Sequence, residues 1–258
     1  MKEDDSAREA LTAQPGRWSR TSIIGATLAI AVLASLCFGV ILPQSRARAK
    51  TALCAHRLQQ IGLAFQTYYD TNQRFPSAYT VDSQGRKCRS WREKILPFVE
   101  GTNLHSAWNA VGPPSEPWDG PNNRKFWDQM PITYRCPSDD VSPPYITGYA
   151  AVVGSETMWR GDKYSPRTAF QDGASNTIMV VEAHAAQITW LEPRDLDFAS
   201  MSFVVNDRST KNCVSSLHRG GANALFADGS VRFLSKDTDP ALLKALLTIA
   251  GGELANPP

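Results

Sequence analysis

Residues 22–42, SIIGATLAIAVLASLCFGVIL, decide the layout of this 258-residue chain, because they are 21 consecutive residues without a charge. A helix rises about 1.5 Å per residue and a bilayer core is about 30 Å thick, so about 20 apolar residues can cross it. We therefore predict a transmembrane helix over residues 22–42. Residues 1–20 are polar and mixed in charge, which predicts a disordered tail. Residues 44–258 remain as one domain on a single side of the membrane.

The charges beside the helix do not orient it. The flanking cations are equal in number on the two sides: Lys2, Arg8, Arg17 and Arg20 before it, and Arg46, Arg48, Lys50 and Arg57 after it. The positive-inside rule needs an asymmetry, so orientation stays open at this point. Ala47-Arg48-Ala49 resembles a signal-peptidase site, which makes a cleaved signal peptide the alternative. Since the apolar run is longer than a usual signal-peptide core, an uncleaved anchor is the main interpretation.

The net charge of +2 is small, and Lys and Arg cluster only just after residue 42. A nucleic-acid-binding protein needs a basic patch, so that class of function is not expected.

Helical patterns come first in the domain and strand patterns follow. One apolar stripe at helical spacing comprises Leu53, Leu58, Ile61, Phe65 and Tyr68. Ser90-x-x-Glu93 predicts a capping box opening a short helix. Strands are predicted over residues 133–135, 147–153 and 177–183, then a hairpin over 222–226 and 230–234, and finally a helix that begins at Asp239-Pro240. This order favours an α+β fold with an antiparallel sheet.

The most distinctive segment runs from His218 through Gly220 and Gly221 to Asp228-Gly229. We interpret it as structural: a glycine loop, a strand, and a tight Asp-Gly turn in which Asp228 accepts backbone N–H bonds. His218 is then expected beside the hairpin or the preceding loop, outside any cleft. The catalytic alternative makes His218 a base oriented by Asp228, with Ser215 or Ser216 as nucleophile.

No metal site is predicted. Glu182 and His184 lie two apart in a strand, so with His218 and Asp228 they offer an alternative divalent-metal site that no spacing enforces. Calcium also stays open through four loop carboxylates: Asp139, Asp140, Asp172 and Asp228.

Two further features concern surfaces and compartments. Trp118 and Asp119 lie in a loop rich in Pro, Gly and Asn, where an exposed ring would suit a glycan or a peptide. Four cysteines follow residue 42, an even number that fits an oxidising compartment and up to two disulfides, with unpaired thiols as the alternative: Cys54, Cys88, Cys136 and Cys213.

Seven stretches together resemble the domain of unknown function 1559 family, pseudopilin-like proteins of planctomycete-type bacteria. They cover the domain from end to end: LQQIGLAFQTYYDTNQRFPSAY (58–79), SWREKILPFVE (90–100), EPWDGPNN (116–123), YRCPSDD (134–140), DGASNTIMVVEA (172–183), HRGGANALFADGSVRFLS (218–235) and LLKALLTIAGGE (242–253). The His-x9-Asp-Gly spacing is the family's C-terminal hallmark.

The resemblance implies a type IV pilin-like layout. A long N-terminal helix would have a membrane half and a soluble half packed on an antiparallel sheet, with residues 1–20 in the cytoplasm and residues 44–258 outside it. An oxidising space would then favour a Cys54–Cys136 disulfide, with Cys88–Cys213 as a second pair.

One departure concerns assembly. Family members open with a prepilin signature that carries Phe and Glu after a Gly, whereas Gly16 here is followed by Arg17-Trp18-Ser19-Arg20. No carboxylate occurs in residues 22–42. Entry into a filament is therefore not expected.

We thus expect a non-catalytic structural or interaction protein of a secretion or envelope apparatus, held by residues 22–42 at the inner membrane and contacting protein partners. The alternative is a binding module that uses the tryptophan-bearing loops, and no cofactor is expected.

Overall fold

The computed structural model describes residues 19–99, 106 and 116–252. The chain divides into two units, Met1–Arg46 and Ala47–Pro258. The tail predicted for residues 1–20 falls almost entirely outside the described residues.

The N-terminal unit contains a helix of the expected length. Helix α1 (Arg20–Leu36) begins at Ser19, whose Oγ accepts the Ser22 N–H at 3.1 Å. A π-helical turn over Cys37–Ile41 leads into α2 (Leu42–Asn72). Pro43 has no N–H to offer the Gly39 carbonyl, which accounts for the locally widened turn. The continuous helix Arg20–Asn72 has 53 residues and is long and apolar enough to span a membrane.

Within the second unit, α2 packs one face into the core. Its buried residues are Cys54, Leu58, Ile61, Gly62, Ala64 and Phe65. The predicted stripe is confirmed at Leu58, Ile61 and Phe65, but Leu53 is 43 % exposed because it lies one residue off this face. A Cβ at Gly62 would lie 2.9 Å from Leu225 Cδ1, so this glycine lets the helix approach the sheet closely.

Short elements follow α2. Strands β1 (Tyr79–Val81) and β2 (Lys87–Ser90) form an antiparallel pair, and α3 (Trp91–Lys94) and α4 (Leu96–Val99) come next. The predicted helix begins after Ser90, but the capping-box prediction is wrong, because the Ser90 side chain does not cap the helix. Its hydroxyl donates to the Trp190 carbonyl, and Glu93 pairs with Arg89.

A second correction concerns residues 133–135. They were predicted as a strand, but Ile132–Tyr134 forms a 3-10 turn after another one at Asn123–Gln129. Pro131 precedes this turn, and its carbonyl accepts the Tyr134 N–H at 2.9 Å. The local proline turn therefore outweighs the β propensity of the sequence.

The remaining strands are β3 (Ile146–Thr147), β4 (Tyr149–Ala150), β5 (Val152–Val153), β6 (Ile178–Glu182), β7 (Ile188–Thr189), β8 (Leu196–Asp197), β9 (Gly221–Phe226) and β10 (Val231–Ser235). The main sheet has the order β10-β9-β6-β4 with antiparallel neighbours throughout, which confirms the α+β class. The predicted strand over 147–153 is broken into three short pieces, of which β5 pairs in parallel with β8.

Apolar layers cover both faces of this sheet. Leu225 belongs to the core that contains Phe65 of α2, whereas its neighbours Ala224 and Phe226 belong to the core beneath α5 (Pro240–Leu247). Helix α5 begins where predicted, and Asp239 caps it, since its Oδ1 accepts the Ala241 N–H at 2.9 Å. The central strand β9 is therefore buried on both faces.

Candidate functional site

Four polar side chains from four distant segments meet at one place inside the second unit. Cys54 comes from α2, Cys136 from the loop after the Ile132–Tyr134 turn, Glu182 from the end of β6, and His218 from the loop before β9. One donor atom from each of the four lies within 4.8 Å of all the others. The residues are 0, 4, 1 and 6 % exposed respectively, so the Cys54–Cys136–Glu182–His218 cluster is buried.

Backbone packing brings these segments together. Cys54 lies on the buried face of α2, one turn before Leu58. A Cβ on Gly148 would lie 3.0 Å from Cys136 Cβ and 3.2 Å from Cys136 N, so a glycine is needed where the Cys136 loop crosses the start of the sheet. Ser215 pairs with the end of β6, because its N–H donates to the Glu182 carbonyl at 2.9 Å, and this places His218 beside Glu182.

The imidazole of His218 is held on both nitrogens. Its Nε2 lies 3.1 Å from Glu182 Oε1 and 3.9 Å from Cys136 Sγ. Its Nδ1 lies 3.1 Å from Thr51 Oγ1 and 3.4 Å from Ser138 Oγ. The two sulfurs of Cys54 and Cys136 are 3.0 Å apart.

Asn223 holds the carboxylate of Glu182 from the other side. Its backbone N–H donates to Glu182 Oε2 at 2.8 Å, and its side-chain Nδ2 donates to Glu182 Oε1 at 3.2 Å. This explains why a polar residue occupies the middle of the buried strand β9.

These contacts shift the pKa values of the four side chains in different directions. The hydrogen bonds from Cys54 and His218 together lower the pKa of Cys136 to about 5, against the effect of burial. The same sulfur–sulfur contact raises the pKa of Cys54 well above its usual value. Burial opposes a charged His218, but hydrogen bonds to Cys136 and Glu182 raise its pKa to about 9. Burial also opposes ionisation of Glu182, yet the bonds from His218 keep its pKa below the usual value.

Two sulfurs, an imidazole nitrogen and a carboxylate oxygen form a donor set that suits transition metals rather than calcium. The same buried groups leave a substrate little access to the thiol of Cys136, since the residue is only 4 % exposed.

An open groove of about 1000 Å³ borders the cluster on the His218 side. Four cationic side chains line it: Arg208, Lys211, Arg219 and Lys236. The nearby carboxylate of Asp207 accepts hydrogen bonds from Ser202 and Ser209, and Lys236 pairs with Asp237. The groove therefore offers Arg208, Lys211 and Arg219 as exposed positive charges.

The structure brings Cys54 and Cys136 together and places Cys88 and Cys213 elsewhere. Cys88 Sγ contacts the Arg86 carbonyl, whereas Cys213 Sγ contacts the carbonyl of Asp207. None of the five cysteines, all of which lie in the described part of the chain, forms a disulfide. The Cys54–Cys136 pairing thus stays a prediction, and Cys88 and Cys213 make separate contacts.

The position of His218 differs from the expectation. It was expected beside the hairpin and outside any cleft, but it is buried against Glu182 and Cys136 and lines the groove. Asp228 lies in the hairpin turn, where its Oδ1 accepts the Ser230 N–H at 2.9 Å and Gly229 has a φ of 87°. Glu182 therefore occupies the place beside His218 that the catalytic alternative gave to Asp228.

The two serines considered as nucleophiles accept hydrogen bonds from backbone N–H groups. Ser215 Oγ accepts the Ala185 N–H at 3.0 Å, and Ser216 Oγ accepts the N–H of His218 at 3.2 Å. The loop glycines lie beside them: Gly220 has a φ of 90°, and Gly221 begins β9.

Trp118 is half-buried against the core. Its ring stacks on Trp127 at a centroid distance of 5.5 Å and an interplanar angle of 13°. Asp119 is exposed, and its carbonyl accepts a bond from Arg124. One face of the Trp118 ring is thus already occupied within the protein.

The four carboxylates considered for calcium have separate partners. Asp139 accepts the N–H groups of Val141 and Ser142, and Asp140 pairs with Lys50. The others are satisfied in the same way, Asp172 by the N–H groups of Gly251 and Gly252, and Asp228 by Ser230. His184 lies 3.3 Å from Asp139 rather than beside His218.

Sequence reasoning missed Thr51 and Asn223. A polar residue between Ala222 and Ala224 in a strand buried on both faces is the signal that could have identified Asn223. Thr51 lies one turn before Cys54 on α2, at a spacing that brings both to one face of the helix.

The chain matches the family described as "Protein of unknown function (DUF1559)" over residues 44–169 and 198–241, more than half of its length. No curated protein matches it significantly. No solved structure does so either. Cys54, Cys136 and His218 fall in the matched segments, whereas Glu182 lies between them. The chain belongs to the DUF1559 family.

Proposed function

We propose that this protein is a membrane-anchored, pseudopilin-like interaction protein of a secretion or envelope apparatus, without catalytic activity. The observation that carries the proposal is the helix Arg20–Asn72, which joins a stretch apolar enough to span a bilayer to a stretch whose buried face packs on an antiparallel sheet. This is the layout that the family resemblance implies.

The apolar part of the helix supports the anchoring role. Large side chains in it are more than half exposed at Ile24, Leu28, Ile30 and Leu33. Exposing apolar surface to water costs about 25 cal/mol of free energy for each Å², and contact with lipid avoids this cost. The resemblance to pseudopilin-like proteins supports a location of residues 44–258 outside the cytoplasm.

The missing carboxylate in residues 22–42 supports a permanent anchor over a filament subunit. A charged group in lipid is expensive and is kept where it has a role, such as pairing with a neighbouring subunit. Without it, the helix has no charged group to pair with a neighbour within the membrane.

The cationic groove supplies a contact surface for the domain. Arg208, Lys211 and Arg219 are exposed there, and complementary charge favours association with an acidic protein surface. The burial of Cys136 and Glu182 supports a non-catalytic role, since neither group faces a substrate-sized opening directly.

The second candidate is a binding module built on Trp118 and Asp119. The exposed Asp119 favours it, but the stacking of Trp118 on Trp127 leaves that ring only partly available. A glycan array probed with the detergent-solubilised chain and with a Trp118→Ala variant tests this candidate.

Crosslinking in native membranes tests the proposed function. We expect the wild-type chain to capture a defined envelope protein, and Arg208→Glu/Lys211→Glu to lose most of that product. Lys125→Glu/Lys163→Glu makes the same charge change at exposed positions outside the groove and should keep it. Equal capture by both double variants, or no specific product from wild type, would contradict the proposal.

A further inference from the structure

The Cys54–Cys136–Glu182–His218 cluster contains more than a pair of cysteines. A disulfide would involve two of the four residues and would leave the convergence of Glu182 and His218 on the same point unexplained. We propose that the four side chains together bind one divalent transition-metal ion, with zinc as the expected occupant.

The donor set favours zinc. Structural zinc sites are four-coordinate and tetrahedral, with Cys sulfur, His nitrogen and carboxylate oxygen as ligands. Thiolate and imidazole ligands also discriminate against calcium and magnesium, which prefer oxygen. Because all four positions are supplied by the protein and all four residues are buried, the site is closed and structural.

The distances are close to those that a tetrahedral ion requires. Zinc bonds of about 2.0 to 2.3 Å place neighbouring ligand atoms about 3.3 to 3.8 Å apart. The observed separations are 3.1 Å for His218 Nε2 to Glu182 Oε1 and 3.9 Å for His218 Nε2 to Cys136 Sγ. The sulfurs, at 3.0 Å, must separate by less than about 1 Å, a change that cysteine rotamer adjustments supply.

Thr51 prepares the correct tautomer of His218. The Thr51 hydroxyl donates its proton to the Ala47 carbonyl at 3.1 Å, so towards His218 Nδ1 it acts as an acceptor. Nδ1 therefore keeps its proton. When the ion binds, Nε2 gives up the proton that it donates to Glu182 in the metal-free chain, and its lone pair then faces the ion. Such outer contacts are typical of protein metal sites, and Asn223 orients Glu182 in the same way.

The ion would also balance charge. Two thiolates and a carboxylate in a buried site repel one another unless a cation compensates them. A divalent ion reduces their combined charge to −1, and it ties α2, the Cys136 loop, β6 and the His218 loop to one point. Metal binding should therefore stabilise the folded chain.

Metal loading of the full chain tests the proposal. The detergent-purified protein is kept reduced, stripped with chelator, and dialysed against zinc or cobalt. We expect about one zinc per chain, and visible cobalt bands that report thiolate ligation. Cys136→Ser and His218→Ala should lose the metal, whereas Cys88→Ser and Cys213→Ser, which remove cysteines outside the cluster, should bind like wild type.

Thr51→Val keeps all four ligands and so separates metal binding from folding. We expect it to fold and to bind zinc about 10-fold more weakly, because it loses the hydroxyl that orients His218 together with an exposed helix bond to the Ala47 carbonyl. Absence of zinc and cobalt uptake by reduced, folded wild type would overturn the proposal. So would a Cys54–Cys136 disulfide, without metal, in protein isolated from native membranes, or unchanged uptake by both ligand variants.

Discussion

Glu182 Oε1 lies 3.1 Å from His218 Nε2 at the centre of a site where both side chains are 2 % exposed. A buried carboxylate is stable only when its lone pairs are satisfied, and here His218 and both nitrogens of Asn223 satisfy them. This contact joins β6 to the His218 loop and determines what the surrounding groups can do.

Removing Glu182 should be costly. Glu182→Ala leaves His218 and the Asn223 N–H without their buried acceptor, so we expect a loss of about 3–5 kcal/mol in the free energy of unfolding of the metal-free chain. Glu182→Gln keeps an acceptor and should lose less. Denaturant titration followed by tryptophan fluorescence measures both, and Glu192→Ala, which breaks a surface pair with Arg194, should cost under about 1 kcal/mol. Similar losses for Glu182→Ala and Glu192→Ala would disprove this account.

A second buried ion pair should be comparably important. Arg92 Nη2 lies 2.7 Å from Asp195 Oδ1, and this carboxylate oxygen also accepts bonds from the Trp91 ring and from the Ala151 N–H. Arg92→Met should destabilise the chain by about 3–5 kcal/mol, because it leaves a buried carboxylate without its cation. Arg86→Met is the control: it removes a largely exposed cation from Asp82, whose carboxylate keeps the N–H bonds from Gln84 and Arg86, so the cost should lie below about 1 kcal/mol. Equal melting temperatures for the two variants would show that the Arg92 pair is not needed.

The two glycines after His218 should differ in sensitivity. A Cβ at Gly221 would lie 2.0 Å from the Leu234 carbonyl oxygen, so Gly221→Ala forces β9 and β10 apart. At Gly220 a Cβ would meet open space, and Gly220→Ala should cost only the strain of its positive φ, about 1–2 kcal/mol. Thermal melts should therefore rank Gly221→Ala well below Gly220→Ala. The opposite order would mean that β9 and β10 are not paired as described.

Asp139 should make stability depend on pH. Burial opposes its ionisation, but N–H bonds from Ser142 and Val141 hold its pKa below the usual value. A depressed pKa in the folded state means that the stabilisation is present above the unfolded pKa of about 3.9 and is lost as the pH falls through the folded pKa. The difference in melting temperature between wild type and Asp139→Asn should thus be large at pH 7 and shrink below about pH 4.

Asp140→Asn is the matched control for this pH dependence. The Asp140 carboxylate is next to Asp139 in the chain, but it is largely exposed and pairs with Lys50 at the surface. Asp140→Asn should therefore change stability little, both at pH 7 and below about pH 4. A constant difference between wild type and Asp139→Asn from pH 3 to pH 7 would show that the Asp139 bonds do not favour the ionised form.

Much of the fold could be predicted from local patterns. The apolar run over residues 22–42, the α2 stripe at Leu58, Ile61 and Phe65, and the Asp228-Gly229 hairpin depend on periodicity and turn chemistry, which the sequence shows directly. The strand predicted over residues 133–135 failed because Pro131 starts a turn that β propensity does not register.

The candidate site was less predictable for a physical reason. Its members are separated by as many as 172 residues, as in the Thr51–Asn223 contact, and no local pattern specifies such a separation. The Cys54–Cys136 proximity followed from the family resemblance, whereas Glu182 beside His218 depends on how β6 and the His218 loop pair. Similarly, the partner of Arg92 is Asp195, which only the tertiary fold brings near.

Topology is the most direct test of the central claim that a membrane anchor holds the domain outside the cytoplasm. Ser83→Cys places an exposed thiol in the turn between β1 and β2, and Ser6→Cys places one in the N-terminal tail. Labelling of intact spheroplasts with a membrane-impermeant maleimide should modify Ser83→Cys at once and Ser6→Cys only after lysis, relative to the wild-type background. The claim would be contradicted if intact spheroplasts showed labelling of Ser6→Cys but not of Ser83→Cys, or if the Ser83→Cys protein were recovered in the soluble fraction.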